Sequence, residues 1–265
     1  RDRISVNIAP RFGKSHLVSY YFPAWFLGKF PKEKVMMVSH TADLAVDFGR
    51  KVRNLVDLDT YKELFPGLEL RADSKAAGRW NTSKNGDYFA IGVGGTVTGK
   101  GADILIIDDP HSEQEAAQAA SSPEIYDKVY EWYTSGPRQR LQPGGSIVIV
   151  MTRWAQRDLT GQVLKNAALR GENDWEVIEF PAILPSGNPL WPEFWSKEEL
   201  EALQLGAVQM LAPSLAKFGP LGIKEFELFD LPYIFPDKAA LDRVTDGPIG
   251  RDLLKKLEPK GLLGL

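Results

Sequence analysis

Gly13-Lys14-Ser15 lies between an apolar run and a helical pattern. A turn of this kind can surround an anion. Backbone N–H groups converge at a helix N-terminus, the lysine adds a point charge, and the serine hydroxyl is an oxygen ligand for Mg²⁺. Further along, Ile104-Leu105-Ile106-Ile107 runs into Asp108-Asp109. These are hard oxygen donors at the C-terminal end of an apolar strand, where open α/β sheets bind their ligands. Asp108 is expected to hold the cation directly or through water, and Asp109 to orient or deprotonate an attacking water. Each signal has a bland alternative. Gly-Lys-Ser also opens ordinary helices, and the full phosphate-loop spacing asks for glycine where Ile8 stands. Two acids at a strand end also serve simply as a helix cap. The loop on one strand and the acids on another, in one βα arrangement, together favour nucleotide hydrolysis.

The elements that must position these residues are legible as short apolar runs alternating with helical stretches. Strands are expected at Ile4–Ile8, Val35–Val38, Tyr88–Val93, Ile104–Ile107, Ile147–Met151 and Val177–Phe180, and helices at Ala42–Val56 and Ile125–Tyr133. A further helix after Ser15 is expected to bury Leu17, Tyr21 and Trp25 at helical spacing. Apolar strands alternating with helices imply an α/β fold, with a mainly parallel sheet covered by helices on both faces. There is no internal repeat and no low-complexity segment.

The bulk numbers narrow the class. With 265 residues, 43% of them hydrophobic and 25% charged, the chain can bury a sizeable core and does not have a disordered composition. A net charge of −3 excludes a strongly basic DNA-coating protein. The chain contains no cysteine, which rules out disulfides and thiolate metal sites and suits a reducing cytosol. No apolar run reaches a membrane span, and Arg1-Asp2-Arg3 is no signal peptide. The opening directly into a strand, without methionine, reads as a truncated N-terminus. His16, His40 and His111 have no metal-ligand spacing, so loop or cap roles are expected of them. Trp25, Trp132 and Trp154 are expected in the core. Lys51, Arg53, Arg138 and Arg140 suit DNA phosphates and a solvated helix face equally well.

Several stretches together resemble the ATPase motor of tailed-phage terminase large subunits over residues 1–204. Ala9-Pro10-Arg11-Phe12-Gly13-Lys14-Ser15 looks like that family's altered Walker A loop, in which Pro-Arg replaces the early glycine. Gly99-Lys100-Gly101-Ala102-Asp103, followed by Ile106 to His111, looks like its Gly-rich loop and Walker B strand. Met151-Thr152-Arg153-Trp154 with Asp158-Leu159-Thr160-Gly161 looks like its coupling motif, and Leu190-Trp191-Pro192-Glu193 like the segment leaving the domain. The resemblance implies a P-loop NTPase of the RecA/ASCE-like kind. Pro10, Arg11, Phe12, Gly13, Lys14, Ser15 and His16 would contact ATP, and Ser15 and Asp108 would hold Mg²⁺. Asp109 would act on the water, Arg11 would sense the γ-phosphate, and Thr152 and Arg153 would report the nucleotide state. The implied partners are double-stranded viral DNA, a portal protein, a small terminase subunit and further copies in a ring, in the host bacterial cytoplasm and without a membrane. Arg79 and Arg138 are the candidates considered for an arginine finger.

The sequence also departs from the family. Ala155-Gln156-Arg157 stands where relatives carry histidine and acids, the family's adenine-holding part begins before Arg1, and no RNase H-like nuclease follows. Instead Gly206 to Leu215 and Phe226 to Phe235 are similar to periplasmic solute-binding proteins of TRAP-type transporters over residues 206–265. The chain thus reads as chimeric, with a domain over 1–204 and a short α/β fragment over 205–265. A short helix is expected there around Leu253, Leu254 and Leu257. Two other functions compete: another P-loop nucleic-acid motor such as a helicase, and, for the tail only, solute binding.

Overall fold

In a computed structural model of the chain, the structure describes residues 2–119, 121–172, 174–197 and 247. The chain divides into two compact units, Arg1–Leu184 and Pro185–Leu265. The first unit is α/β. Its strands are β1 (Arg3–Ile8), β2 (Lys34–Ser39), β3 (Leu70–Ala76), β4 (Arg79–Thr82), β5 (Asp87–Gly92), β6 (Ala102–Asp108), β7 (Leu141–Met151) and β8 (Trp175–Phe180). They form one sheet in the order β3-β4-β5-β2-β6-β7-β1-β8. Pairing is parallel from β5 through to β8, and β3 and β4 add an antiparallel edge.

The alternation of side chains along a strand explains why these runs are apolar almost throughout. Met37, Ile104 and Ile106 face one layer, in which α1 (Phe22–Lys29) and α2 (Ala42–Val56) contribute Ala24, Leu27, Ala45 and Val52. Met36, Val38, Leu105, Ile107 and Ile147 face the other layer. There, α5 (Glu124–Ser135) brings Val129 and Tyr133, and α6 (Leu159–Leu169) brings Leu159 and Val163. Two shorter helices, α3 (Asp59–Leu64) and α4 (Glu113–Gln118), complete the unit. The antiparallel edge is secured by Trp80. Its ring stacks on Tyr88 at 4.9 Å and 5°, and its Nε1 donates to the Gly49 carbonyl at 3.1 Å.

The strands and helices expected among the described residues are all present, and α2 has the expected limits. One face was misplaced. Leu17, Tyr21 and Trp25 are exposed rather than buried. The chain leaves the Gly13 loop as a π-helical turn over His16–Tyr21 before α1 begins. The wider π turn rotates later residues away from α-helical register, so Val18, Ser19, Pro23, Ala24 and Leu27 face the core instead. Trp25 therefore lies outside, against Phe22 and Phe30. Trp154 is also exposed, because it lies in the β7–α6 loop and not on a helix. Trp132 is half-buried and donates to the Gly95 carbonyl.

Among the described residues no helix is long and apolar enough to cross a membrane. In the second unit, Trp191 stacks on Phe194 at 4.9 Å, and Trp195 meets Phe194 edge-on. The TRAP-like motifs, the boundary near residue 205 and the helix around Leu253 lie outside the described residues.

Candidate functional site

Parallel strands deliver their C-terminal ends to one edge of the sheet, and the strand order decides which ends are neighbours. β7 lies between β1 and β6, so the loop after β1 and the acids ending β6 flank the residues that follow β7. The loop's backbone is bent as an anion cradle requires. Arg11 and Gly13 have φ of 65° and 76°, in the left-handed region, and the Leu17 N–H closes the turn onto the Gly13 carbonyl.

The loop and the acids meet in direct contacts. Lys14 Nζ lies 2.8 Å from Asp109 Oδ2, with the lysine side chain almost wholly buried. The Ser15 hydroxyl donates to Asp108 Oδ1 at 3.0 Å. Asp108 is only 2% exposed, and its Oδ2 has no hydrogen-bond partner. Burial above all, and then the neighbouring charge of Asp109, push its carboxyl up to about 6. The Ser19 and Ser15 hydroxyls and the Lys14 ammonium offset this only in part. A buried carboxylate oxygen without a partner, beside a serine hydroxyl, fits a hard divalent cation. Among the described residues no three acidic, histidine or cysteine side chains form a metal cage. Two protein oxygens with substrate phosphates are the usual complement for Mg²⁺.

Asp109 joins these groups to β7. Its φ is 40°, uncommon outside glycine, and its backbone N–H donates to the Val150 carbonyl at 2.9 Å. Its Oδ1 accepts from the Thr152 N–H at 2.8 Å, while Oδ2 meets Lys14. The Arg153 Nε reaches Asp158 Oδ2 at 2.9 Å. Asp158 is completely buried and also accepts from the backbone N–H groups of Trp154, Ala155 and Gly161, so it caps α6 and folds the β7–α6 loop around itself. His111, three residues after Asp108, is 3% exposed. Its Nε2 accepts from the Leu159 N–H at 3.0 Å, and burial lowers its pKa to about 4, so the ring is neutral near pH 7. Its role is that of a cap.

Of the residues expected at the site, Gly13, Lys14, Ser15, Asp108, Asp109 and Thr152 come together. Pro10 and Arg11 are exposed on the loop and Phe12 is half-buried. His16 is exposed and packs edge-on against Tyr20 and Tyr21. The Arg153 guanidinium is committed to Asp158 and the Ala155 carbonyl. Arg79 and Arg138 lie at the limit of ion-pair distance from Asp87 and Glu172, at 4.0 and 3.9 Å. Asp158 is part of the motif quoted from the sequence but was given no role there. An aspartate just before the helical run Leu159 to Leu169 is an N-cap signal that could have supplied one.

The model of the bacterial extracellular solute-binding protein family 7 matches residues 194–265. This agrees with the resemblance noted for the tail, and the match begins twelve residues earlier than expected. The C4-dicarboxylate-binding periplasmic protein DctP of Rhodobacter capsulatus is 74% identical over 69 residues, 26% of this chain and 21% of that protein. The protein of the same name from Shewanella loihica is 43% identical over 72 residues, 27% of this chain and 21% of that protein. The chain thus spans about a fifth of the length of the curated relatives it matches.

The solved structures similar to the chain are of another kind. The bacteriophage HK97 large terminase is 13% identical with a TM-score of 0.48, covering 78% of this chain and 44% of that one. The ATPase domain of the Thermus phage P74-26 large terminase is 16% identical with a TM-score of 0.42, covering 78% and 86%. A large terminase of a thermophilic bacteriophage, solved with ATP-γ-S, is 12% identical with a TM-score of 0.41, covering 68% and 38%. The chain is chimeric in its similarities, and the functional reading rests on the loop and the two carboxylates.

Proposed function

We propose that the first unit is a Mg²⁺-dependent P-loop ATPase and that it serves as the motor of viral DNA packaging. The observation that carries the ATPase reading is the pairing of Lys14 with Asp109 and Ser15 with Asp108, two contacts between an anion loop and an acidic strand end. In this reading, Lys14 and the loop N–H groups bind the β- and γ-phosphates, and Arg11 contacts the γ-phosphate from the loop's exposed side. Ser15 and Asp108 hold Mg²⁺, which when bound neutralises charge developing on the phosphates. Asp109 orients the attacking water and takes its proton. Its hydrogen bond to the Thr152 N–H passes the nucleotide state to β7, and the Arg153–Asp158 pair passes it on to α6.

The finer proposal is translocation of double-stranded DNA into a procapsid by a ring of these subunits, with a portal protein and a small terminase subunit, in the host bacterial cytoplasm. The ordered motifs support it. For residues 205–265 we propose no solute-binding function of their own, since the matched stretch corresponds to 21% of the Rhodobacter protein. The test is a thermal melt with and without Mg²⁺-ATP, on the parent and on Lys14→Ala. A ligand at 100 times its Kd stabilises the folded state by about 2.7 kcal/mol. A shift in the parent that disappears in the variant supports the reading. A cooperative melt with no shift in either removes it; where the shift is seen, DNA-stimulated turnover tests the motor.

A further inference from the structure

A cavity of about 270 Å³ opens at the edge of the sheet opposite the phosphate loop, where β1 and β7 begin. It is lined by Arg3, Arg138 and residues 141–145. Arg3 starts the strand that ends at Ile8, so about 17 Å of extended chain separates it from the phosphate loop. The cavity exists because β7 bulges. Ala102 pairs with Leu141 but Ile104 with Ser146, so the residues between them leave the ladder, and Gly144 makes the turn with a φ of 87°. We propose that this cavity binds a phosphate group, at a site separate from that of the nucleotide. The inference does not depend on the ATPase reading.

Unbalanced charge is the first argument. Arg3 is 4% exposed. Its Nε lies 2.9 Å from Asp174 Oδ2 but without the alignment of a hydrogen bond, and the Asp174 side chain is 36% exposed to water. Arg138 is held more loosely, 3.9 Å from Glu172. Both Glu172 oxygens are already taken by Arg170, in a bidentate pair at 3.0 Å. Arg170 above all, and Arg138 and Arg3 at longer range, hold the Glu172 carboxyl below its ordinary value. Two carboxylates thus serve three arginines, and the two arginines that line the cavity are the ones left short of a counter-ion. Cations drawn out of water in this way favour an anion beside them.

Chemistry and size are the second argument. A guanidinium presents its N–H donors in a planar fork that matches phosphate oxygens in pairs. Two such forks in one cavity suit a dianion better than a single carboxylate. The volume lies below the range of organic-ligand pockets, about 300–1,000 Å³, and fits a small ion. Among the described residues no aromatic side chain lines the cavity, so nothing there stacks a base. What is recognised is the phosphate, either free in solution or on a nucleic-acid backbone.

The test is isothermal titration calorimetry of the full chain at pH 8, with inorganic phosphate and with acetate. Lys14→Ala is the background throughout, so that phosphate on the nucleotide loop does not contribute. Phosphate should bind saturably and acetate far more weakly. Adding Arg138→Ala should weaken phosphate by about tenfold or more, because hydrogen bonds to a charged group are lost. Adding Glu172→Gln instead removes a competing carboxylate and should tighten phosphate by up to about fivefold. A variant that merely unfolds cannot bind more tightly, so the two substitutions separate a lost site from a lost fold. A short DNA duplex that displaces phosphate, and itself binds more weakly in Arg138→Ala, identifies the nucleic-acid backbone as the source. A duplex that leaves phosphate in place identifies free phosphate. No saturable phosphate binding, acetate as tight as phosphate, or affinity indifferent to either substitution overturns the assignment.

Discussion

Replacing Asp108 by asparagine should make the nucleotide-free protein more stable while abolishing its response to Mg²⁺-ATP. Asp108 is 2% exposed, and burial with the adjacent Asp109 charge raises its pKa from 3.8 to about 6. Because the folded-state pKa is the higher one, the folded chain holds more protons than the unfolded chain between these values. Stability therefore falls as pH rises from about 4 to 6, and the full penalty persists above that. A rise of two pK units corresponds to about 3 kcal/mol. Asparagine removes the charge and keeps an oxygen to accept from Ser15, and the Ser19 hydroxyl beside the carboxyl can accept from its new N–H₂ group. With part of the gain lost to imperfect pairing, about 1–3 kcal/mol should remain at pH 8.

For a unit of this size each kcal/mol moves Tm by about 2–4 °C. Asp108→Asn should therefore melt several degrees above the parent at pH 8 in the absence of nucleotide. At pH 4.5 Asp108 is protonated in the folded chain, and the gap should be smaller by about 2 kcal/mol. Urea or thermal melts of both proteins at the two pH values decide the matter. An Asn variant less stable than the parent at pH 8, or a gap that does not shrink on acidification, would refute the claim that the buried charge of Asp108 costs stability.

Asp158→Ala should cost at least about 3 kcal/mol, read from urea melts, because it strands Arg153 and three backbone N–H groups around a fully buried position. His111 has a depressed pKa, so its contribution is complete above about pH 6.5 and is lost as pH falls towards 4. In His111→Gln the amide oxygen takes over the bond from the Leu159 N–H. Its stability should then lack that acid loss, roughly 3 kcal/mol at the low end, when melts are compared with the parent from pH 7 to 4.5.

The sheet was legible because its strands are apolar runs with polar punctuation. Ile104–Ile107 and Val35–Val38 are too apolar to be anything but buried. The edge strands β3 and β4 carry no such signal because Leu70–Ala76 and Arg79–Thr82 are largely polar, and their place in the sheet comes from turns that pair β3 with β4 and β4 with β5, and from the Trp80–Tyr88 stack. The face of the helix after Ser15 was misread for a different reason. Apolar spacing fixes a face only when the number of residues per turn is known, and the π turn over His16–Tyr21 changes it. In the site, Lys14, Ser15, Asp108 and Asp109 were found by type and local context. The contacts of Thr152 with Asp109 and of His111 with Leu159 join residues distant in sequence through the strand order, and no local pattern encodes them.

That strand order also gives the nucleotide-free site a particular logic under the proposed function. Asp109 is shared, with Oδ2 on Lys14 and Oδ1 on the Thr152 N–H. A phosphate entering the Gly13 loop competes with Asp109 for Lys14, and on winning leaves one carboxylate oxygen free for water. The same acid keeps its other oxygen on β7. Readiness of the base and the position of Thr152 are therefore set by one side chain, and Arg153 follows Thr152 directly into the Asp158 cap of α6. Coupling of this kind needs no long-range signal. It requires only that Asp109 stay short, because its side chain must satisfy the Thr152 N–H and Lys14 together. A glutamate at this position would carry its carboxylate about one methylene further from the Thr152 N–H. The strained φ of 40° at Asp109 is then the conformational cost of holding a short acid between two neighbours.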